Sequence, residues 1–151
     1  MQPMSKVLAF PPPQPQVSEH YLYSKLSFYT DAWDVAEDLR HQIPDVVVLD
    51  ARSEQHYQAG HIPGAVSFPH RLINEETVAN LARDKVYVTY CDGIGCNGST
   101  QGAYKLAKLG FRVKELIGGL DFWIRDGHPL AKGTEAGVYP ANVEVQDCGC
   151  E

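Results

Sequence analysis

A strand, a glycine-rich loop and a helix follow one another between residues 86 and 109, and this unit limits the possible folds more than any other segment. β-Branched residues such as Val86 and Val88 are typical of a strand. Beyond the loop, apolar residues recur at three- and four-residue spacing, which predicts a helix with Ser99 or Thr100 as its N-cap. The glycines between strand and helix allow a tight turn that points backbone N–H groups into one concavity. Such a concavity at a helix N-terminus favours negative charge, so the unit predicts an α/β protein with an anion-binding loop.

Cys91 stands directly after the strand, at the start of this loop. A position beside backbone N–H groups and a helix N-terminus lowers the pKa of a thiol and stabilises the thiolate. We therefore interpret Cys91 as a nucleophile. The alternative is a buried structural thiol, because free cysteine is among the most buried residue types. The predicted active-site loop consists of Cys91, Asp92, Gly93, Ile94, Gly95, Cys96, Asn97, Gly98, Ser99 and Thr100.

Strand and helix patterns alternate along the rest of the chain. The continuous apolar run 46–49 is typical of a strand that is buried on both faces of a parallel sheet. Together the patterns predict a central, mostly parallel five-stranded sheet with helices on both faces. The predicted strands are 26–30, 46–49, 66–68, 86–90 and 111–116, and the predicted helices are 31–40, 53–60, 74–83, 100–109 and 120–123.

The length of 151 residues suits one folded domain. We predict a proline-rich N-terminal arm at 1–17, the domain at 18–130 and an irregular C-terminal tail at 131–151. A net charge of −6 argues against nucleic acid or an anionic membrane as a partner. No apolar run is long enough to cross a bilayer, and the N-terminal apolar stretch is too short for a signal peptide, so a cytoplasmic location is expected.

The four cysteines form two close pairs, Cys91 with Cys96 and Cys148 with Cys150. These pairs contain four soft ligands for zinc, but their spacing is not the common finger type and zinc would block the nucleophile. We therefore expect no metal site. Cys96 has three open interpretations: it acts in a thiol relay that leaves a Cys91–Cys96 disulfide, it protects Cys91 from over-oxidation, or it packs under the loop as a small apolar residue.

Three motifs in a fixed order resemble the rhodanese (sulfurtransferase) domain and cover roughly residues 26 to 130. They are Asp50-Ala51-Arg52-Ser53-Glu54 with Gly60-His61-Ile62-Pro63-Gly64-Ala65, the loop that begins at Cys91, and Gly118-Gly119 with Trp123 and Gly127-His128-Pro129. The resemblance implies a rhodanese-like fold and a persulfide on Cys91. It implies transfer of a sulfane sulfur from a donor such as thiosulfate to a thiol or cyanide acceptor, with the thiol on a small molecule or a protein and with no cofactor.

Four further residues are expected to frame the site. The resemblance gives Asp50 and Arg52 a structural or site-framing role, with a mutual ion pair as the simplest form, and gives His61 a structural role through hydrogen bonds. The loop is two residues longer than the usual rhodanese loop, and no arginine precedes its Ser99. Anion binding therefore depends on backbone N–H groups, with any cation supplied by Arg52 or Arg71.

Two other functions stay open from the sequence. A phosphatase or arsenate reductase of the related cysteine-loop type would suit the longer loop, although a phosphate-clamping arginine and a recognisable general acid are missing. A catalytically silent rhodanese-like binding module would suit the loss of the arginine, but not the retention of Cys91.

Overall fold

A computed structural model of the chain describes residues 1–143. The helices are α1 (Pro15–Phe28), α2 (Ala32–Arg40), α3 (Glu54–Ala59), α4 (Gly98–Lys108) and α5 (Gly119–Arg125), with short 3-10 helices at Val7–Ala9 and His70–Leu72. The strands are β1 (Tyr29–Thr30), β2 (Val46–Asp50), β3 (Val66–Ser67), β4 (Val86–Tyr90) and β5 (Arg112–Leu116). They form a single five-stranded sheet in the order β1-β5-β4-β2-β3, and every neighbouring pair is parallel. The predicted fold class is therefore confirmed.

The sheet is buried on both faces, as the apolar run in β2 predicts. Successive side chains of a strand point to opposite faces. Val48 and Leu49, each only 1% exposed, accordingly enter two different apolar clusters. One cluster packs α2 and α5 against the sheet around Trp123, and the other packs α4 against the opposite face around Leu106. Two helical layers thus hold the central strands in place.

Register places the carboxyl ends of β2 and β4 side by side. Asp50, the last residue of β2, pairs with Tyr90, the last residue of β4. Cys91 follows Tyr90 and Arg52 follows Asp50 by two residues, so both lie at the edge of the sheet where parallel α/β proteins bind ligands.

The predicted strand 26–30 is largely wrong. Helix α1 begins at Pro15 and continues to Phe28, and only Tyr29 and Thr30 pair with β5. Proline is well suited to the first helical position, because its missing N–H is not needed there. None of the residues of α1 is buried, so the helix lacks the apolar stripe by which a sequence pattern would reveal it.

The predicted helix 74–83 is also wrong, because this segment is a series of turns. The side chain of Asn74 accepts hydrogen bonds from the N–H groups of Glu76 and Thr77, both at 2.9 Å. The Thr77 hydroxyl donates to the carbonyl of Leu72 at 2.6 Å. Side chains of this kind compete with the helical hydrogen-bond ladder, which explains why the turns do not extend into a helix.

Residues 131–143 form no helix or strand, but part of this segment packs on the domain. His61 and Ala131 exchange backbone hydrogen bonds at 2.9 and 2.8 Å. Tyr139 is 5% exposed and meets Trp123 edge to face. The segment therefore covers part of the core, while Cys148 and Cys150 lie outside the described residues.

Candidate active site

Cys91 and Cys96 form a disulfide bond across the loop, with their Cα atoms 6.3 Å apart. The loop turns back on itself because the N–H of Cys96 donates to the carbonyl of Gly93 at 3.1 Å. Cys91 is only 4% exposed at the end of β4, whereas Cys96 is half-buried. The nucleophile predicted from the sequence is therefore paired with the second cysteine of the loop.

Both sulfur atoms lie against the first residue of α4. The N–H of Gly98 donates to Cys96 Sγ at 3.4 Å. A Cβ atom at Gly98 would lie 3.1 Å from Cys91 Sγ and 3.4 Å from Cys96 Sγ, which is closer than ordinary contact. Any larger residue would require the sulfurs to move by a few tenths of an ångström, so glycine at this position favours their place at the helix N-terminus, where a thiolate is stabilised.

The predicted N-caps of α4 are wrong. Asn97 occupies the cap position, and its side chain accepts from Gln101 Nε2 at 2.9 Å rather than from a backbone N–H of the helix. The hydroxyls of Ser99 and Thr100 instead donate to Glu115 Oε1 at 2.8 and 2.6 Å. They hold a carboxylate from the end of β5 beside the loop, a contact that arises only from the packing of α4 on the sheet.

The start of the loop is fixed by the first turn of α5. The N–H of Leu120 donates to the carbonyl of Cys91 at 2.9 Å, and that of Asp121 donates to the carbonyl of Asp92 at 2.7 Å. This approach requires glycine at residue 119, which has a φ of 54° and whose Cβ would collide with the carbonyl oxygen of Cys91. The Gly118-Gly119 motif thus positions the backbone of Cys91 and Asp92.

Arg52 connects the end of β2 to the loop. Its guanidinium donates to both oxygens of Asp50, to the carbonyl of Gly60 at 2.6 Å and to Asp92 at 3.2 Å. Asp50 is fully buried and also accepts a hydrogen bond from the Tyr90 hydroxyl at 2.8 Å. The expected ion pair is present, and its arginine holds the loop rather than facing an open anion site.

This network perturbs the ionisation of its members. Burial alone would lower the pKa of Arg52, but the hydrogen bonds and charge of Asp50 outweigh burial and raise the pKa. Burial, followed by the charge of Asp50, raises the pKa of Tyr90. Arg52 is therefore always charged and Tyr90 always neutral at physiological pH, so neither takes part in proton transfer.

His61 and Arg71 lie outside the loop itself. His61 is fully buried and stacks on Tyr57 at a ring distance of 3.7 Å. Its Nδ1 lies 2.8 Å from the carbonyl oxygen of Tyr57, and its Nε2 lies 3.0 Å from that of Glu135. These contacts are those of a structural histidine that joins α3 to the C-terminal segment. Arg71 is exposed on the 3-10 helix His70–Leu72.

The sequence interpretation missed His70. A Cβ atom at Gly98 would lie 3.2 Å from His70 Cδ2, so the imidazole borders the same space as the sulfur of Cys91. His70 Nδ1 is buried without a partner in the described part of the chain. Burial, and then the charges of Lys105 and Arg71, lower the pKa of His70. No local motif marks this residue; its only signal is its place shortly after β3, at the ligand-binding edge of the sheet.

A cavity of about 960 Å³ opens beside the loop. One wall is α1, with Val17, Tyr21 and Phe28, and the other is formed by the loop and the end of β5. Cys96 lines this cavity, whereas Cys91 is not among its lining residues in the described part of the chain. The cavity therefore gives access to the disulfide from the side of Cys96.

The mouth of the loop carries more negative than positive charge. Glu115 lines the cavity, and the exposed Asp92 belongs to the loop itself. A Cβ atom at Gly93 would meet the carboxylate of Asp121, so this third acid also borders the loop. Lys25 of α1 contributes a cation at the cavity wall. Such a mouth disfavours ligands with several negative charges.

Within residues 1–143, no group of three or more His, Cys, Asp or Glu side chains is arranged to hold a metal ion. Among the helices of the same residues, none has the length and apolar character required to cross a membrane.

Comparison with known proteins identifies the family. The model of the rhodanese-like domain matches residues 34–126. The HTH-type transcriptional regulator Rv0324 of Mycobacterium tuberculosis is 34% identical over 108 residues, which are 71% of this chain and 47% of that protein. This chain thus spans about half the length of that relative.

Two further similarities support the match. The sulfurtransferase of Allochromatium vinosum is 31% identical over 86 residues, which are 57% of this chain and 78% of that protein. The crystal structure of the BH2092 protein from Bacillus halodurans superimposes on this chain with a TM-score of 0.77 and a sequence identity of 41%. The superposition covers 80% of this chain and 88% of the BH2092 chain. The chain belongs to the rhodanese-like domain family.

Proposed function

We propose that the protein is a sulfurtransferase that carries a sulfane sulfur as a persulfide on Cys91, from a donor such as thiosulfate to a thiol or cyanide acceptor. The observation that carries this proposal is the position of Cys91 Sγ, which lies at the end of the central strand and against the N-terminus of α4. A helix N-terminus stabilises the thiolate and an attached persulfide anion alike. The relative from Allochromatium vinosum is named a sulfurtransferase, and its similarity to this chain supports the same activity.

The transfer has two balanced steps once the disulfide is reduced. In the first, the Cys91 thiolate attacks the sulfane sulfur of the donor, the donor's S–S bond breaks, and sulfite leaves thiosulfate with the electron pair. In the second, an acceptor thiolate or cyanide attacks the outer sulfur of the persulfide. The bond between the two sulfurs on Cys91 then breaks, and the Cys91 thiolate is regenerated.

Charge at the loop influences the choice of donor. Asp92 and Glu115 disfavour a dianion such as thiosulfate, and Arg52 is already engaged by Asp50 and Asp92. We therefore expect a small-molecule persulfide, whose persulfide group carries at most one negative charge where thiosulfate carries two, to load Cys91 faster than thiosulfate does. The same engagement of Arg52 argues against a phosphatase, because that chemistry needs an arginine free to clamp phosphate.

The test is mass spectrometry of the reduced Cys96→Ser variant, in which Cys91 has no second thiol beside it in the loop, after incubation with thiosulfate or with a small-molecule persulfide. The expected result is one added sulfur that maps to the peptide containing Cys91 and is absent from Cys91→Ser. Failure of both donors to load a folded protein would refute the proposal and favour the binding-module alternative.

A further inference from the structure

The loop holds a second cysteine within bonding distance of the nucleophile. The Cα separation of 6.3 Å between Cys91 and Cys96 falls in the range of about 4.4–6.8 Å that disulfides adopt. A backbone turn from Gly93 to Cys96 produces this separation, and Gly98 leaves room for both sulfurs. The fold therefore brings the two thiols together without help from a partner.

We propose a further activity, which rests on the proposed function. Cys96 attacks the Cys91 persulfide inside the loop and releases its outer sulfur as hydrosulfide, a step that we call the discharge. The protein then acts as a sulfane-sulfur reductase that uses a dithiol as its reductant, in addition to any transfer to an external acceptor. The disulfide of the structure is the product of this discharge.

The step balances within the protein. The Cys96 thiolate attacks Cys91 Sγ, which is the inner sulfur of the persulfide. The bond between the inner and outer sulfurs breaks, and the outer sulfur leaves with the electron pair as hydrosulfide. Cys96 is oxidised and the sulfane sulfur is reduced, while the new bond is the Cys91–Cys96 disulfide.

Cys91 Sγ, the inner sulfur of the persulfide, is easier to reach for Cys96 than for a thiol from solution. Cys91 is 4% exposed, so an incoming molecule reaches its Sγ poorly, whereas Cys96 already lies on it. A group held at the reacting atom has a large effective concentration compared with a thiol in solution. External acceptors therefore compete for the outer sulfur rather than for the inner one.

The same geometry determines which sulfur of the disulfide an external reductant attacks when the two thiols are regenerated. Cys96 faces the cavity, so a dithiol that enters the cavity attacks Cys96 Sγ. Cys91 then departs as the thiolate at the N-terminus of α4, and a leaving thiol of low pKa departs faster. The second thiol of the reductant attacks the mixed disulfide, releases Cys96 and leaves the reductant oxidised. One turn of this cycle consumes one dithiol and one sulfane sulfur.

The experiment is a single turnover on the full-length protein, reduced and then freed of reductant, with one equivalent of a small-molecule persulfide. Hydrosulfide is measured with a sulfide-reactive dye, and the state of the loop is read by mass spectrometry of peptides under non-reducing conditions. The variants are Cys91→Ser and Cys96→Ser. The double variant Cys148→Ser and Cys150→Ser is the matched control, because it also replaces thiols by hydroxyls but leaves the loop intact. Circular dichroism verifies that each variant is folded.

The wild type and the double variant should release one equivalent of hydrosulfide and end with the Cys91–Cys96 disulfide. Cys96→Ser should instead retain the persulfide on Cys91, with a lifetime at least about tenfold longer. Equal persulfide lifetimes in the wild type and Cys96→Ser would overturn the proposal while leaving sulfur transfer intact. A prolonged lifetime in the double variant that matches that of Cys96→Ser would also overturn it, because the resolving thiol would then lie in the C-terminal segment. If Cys96→Ser takes up no sulfur at all, the proposed function fails, and the discharge fails with it.

Discussion

Replacing Gly98 by alanine places a methyl group against both sulfur atoms of the loop. The added Cβ would lie 3.1 Å from Cys91 Sγ, 3.2 Å from His70 Cδ2 and 3.4 Å from Cys96 Sγ. Favourable contacts between carbon atoms begin at about 3.5 Å, and sulfur is larger than carbon, so all three neighbours must move. The backbone itself tolerates the change, because Gly98 is not among the glycines with a positive φ angle and therefore has a conformation that alanine also adopts.

The expected magnitude is the difference between two opposing effects. Overpacking a close contact costs about 1–3 kcal/mol. Alanine in place of glycine in a helix stabilises the fold by about 0.5–1 kcal/mol, because it restricts the unfolded chain. The free energy of unfolding should therefore fall by no more than about 2.5 kcal/mol. Sulfur loading should suffer more, since a persulfide adds another large atom in the same space, and we expect a roughly tenfold slower rate of loading, which corresponds to about 1.4 kcal/mol.

Gly102→Ala is the matched control. Gly102 lies one turn further along α4 and is also buried, but its added Cβ would lie 3.6 Å from each of Ala51, His70 and Ile73, which is ordinary contact. This variant should unfold at slightly higher urea concentration than the wild type and load sulfur at the wild-type rate. Both rates are measured by quenching the reaction with acid and adding the sulfur on Cys91, counted by mass spectrometry, to the hydrosulfide already released. Wild-type loading by Gly98→Ala, or equal losses in the two variants, would refute the argument that Gly98 makes room for the sulfurs.

The remaining predictions concern a buried ion pair and a buried histidine. Arg52→Met should lower the free energy of unfolding by about 3–5 kcal/mol, because it leaves the fully buried Asp50 without its cation. In the same urea titration Asp92→Asn should cost less than about 1 kcal/mol, since Asp92 is 57% exposed, and equal losses would contradict the structural role of Arg52. Burial lowers the pKa of His128 below 6.5, although Asp126 opposes this. The unfolded chain then binds a proton that the folded chain does not, so stability is fully present above pH 6.5 and declines as the pH falls from there to the folded pKa. His128→Phe should keep the stacking on Trp123 and flatten this decline in thermal melts, and identical slopes would refute the assignment.

The parts of the fold that could be predicted are those whose burial leaves a period or a run in the sequence. β2 and β4 lie at the centre of the sheet, so their β-branched and apolar residues form uninterrupted runs. Helix α1 could not be predicted in this way, because none of its residues is buried and its side chains follow no stripe. For the segment 74–83 the error was the reverse, because a helix was predicted where none forms. Its apolar residues have helical spacing, but its polar side chains stabilise turns.

In the site, too, the features that depend on neighbours in the chain could be predicted, whereas those that depend on packing could not. The position of Cys91 beside the helix N-terminus was predictable because it depends on neighbours in the chain, namely a strand end, glycines and a helix start. The pairing of Asp50 with Arg52 was likewise local, being only two residues apart. His70 and Glu115 reach the loop only through the packing of α4 on the sheet, and nothing in their own sequence neighbourhoods specifies that contact. The contact of Arg52 with Asp92 spans forty positions and converts an expected anion-binding cation into a support for the loop.

This conversion has a consequence for how the loop binds anions. With Arg52 engaged, the backbone N–H groups at the start of α4 remain to stabilise a negative charge. One of them, the N–H of Gly98, already donates to Cys96 Sγ in the disulfide state. Reduction of the disulfide removes the bond that holds Cys96 Sγ at this N–H. Under the proposed function, reduction therefore does two things at once: it frees the Cys91 thiolate, and it frees a donor that can stabilise the charged persulfide. Since both depend on the Cys91–Cys96 bond, the redox state of that bond should control whether the loop can bind and transfer sulfur at all.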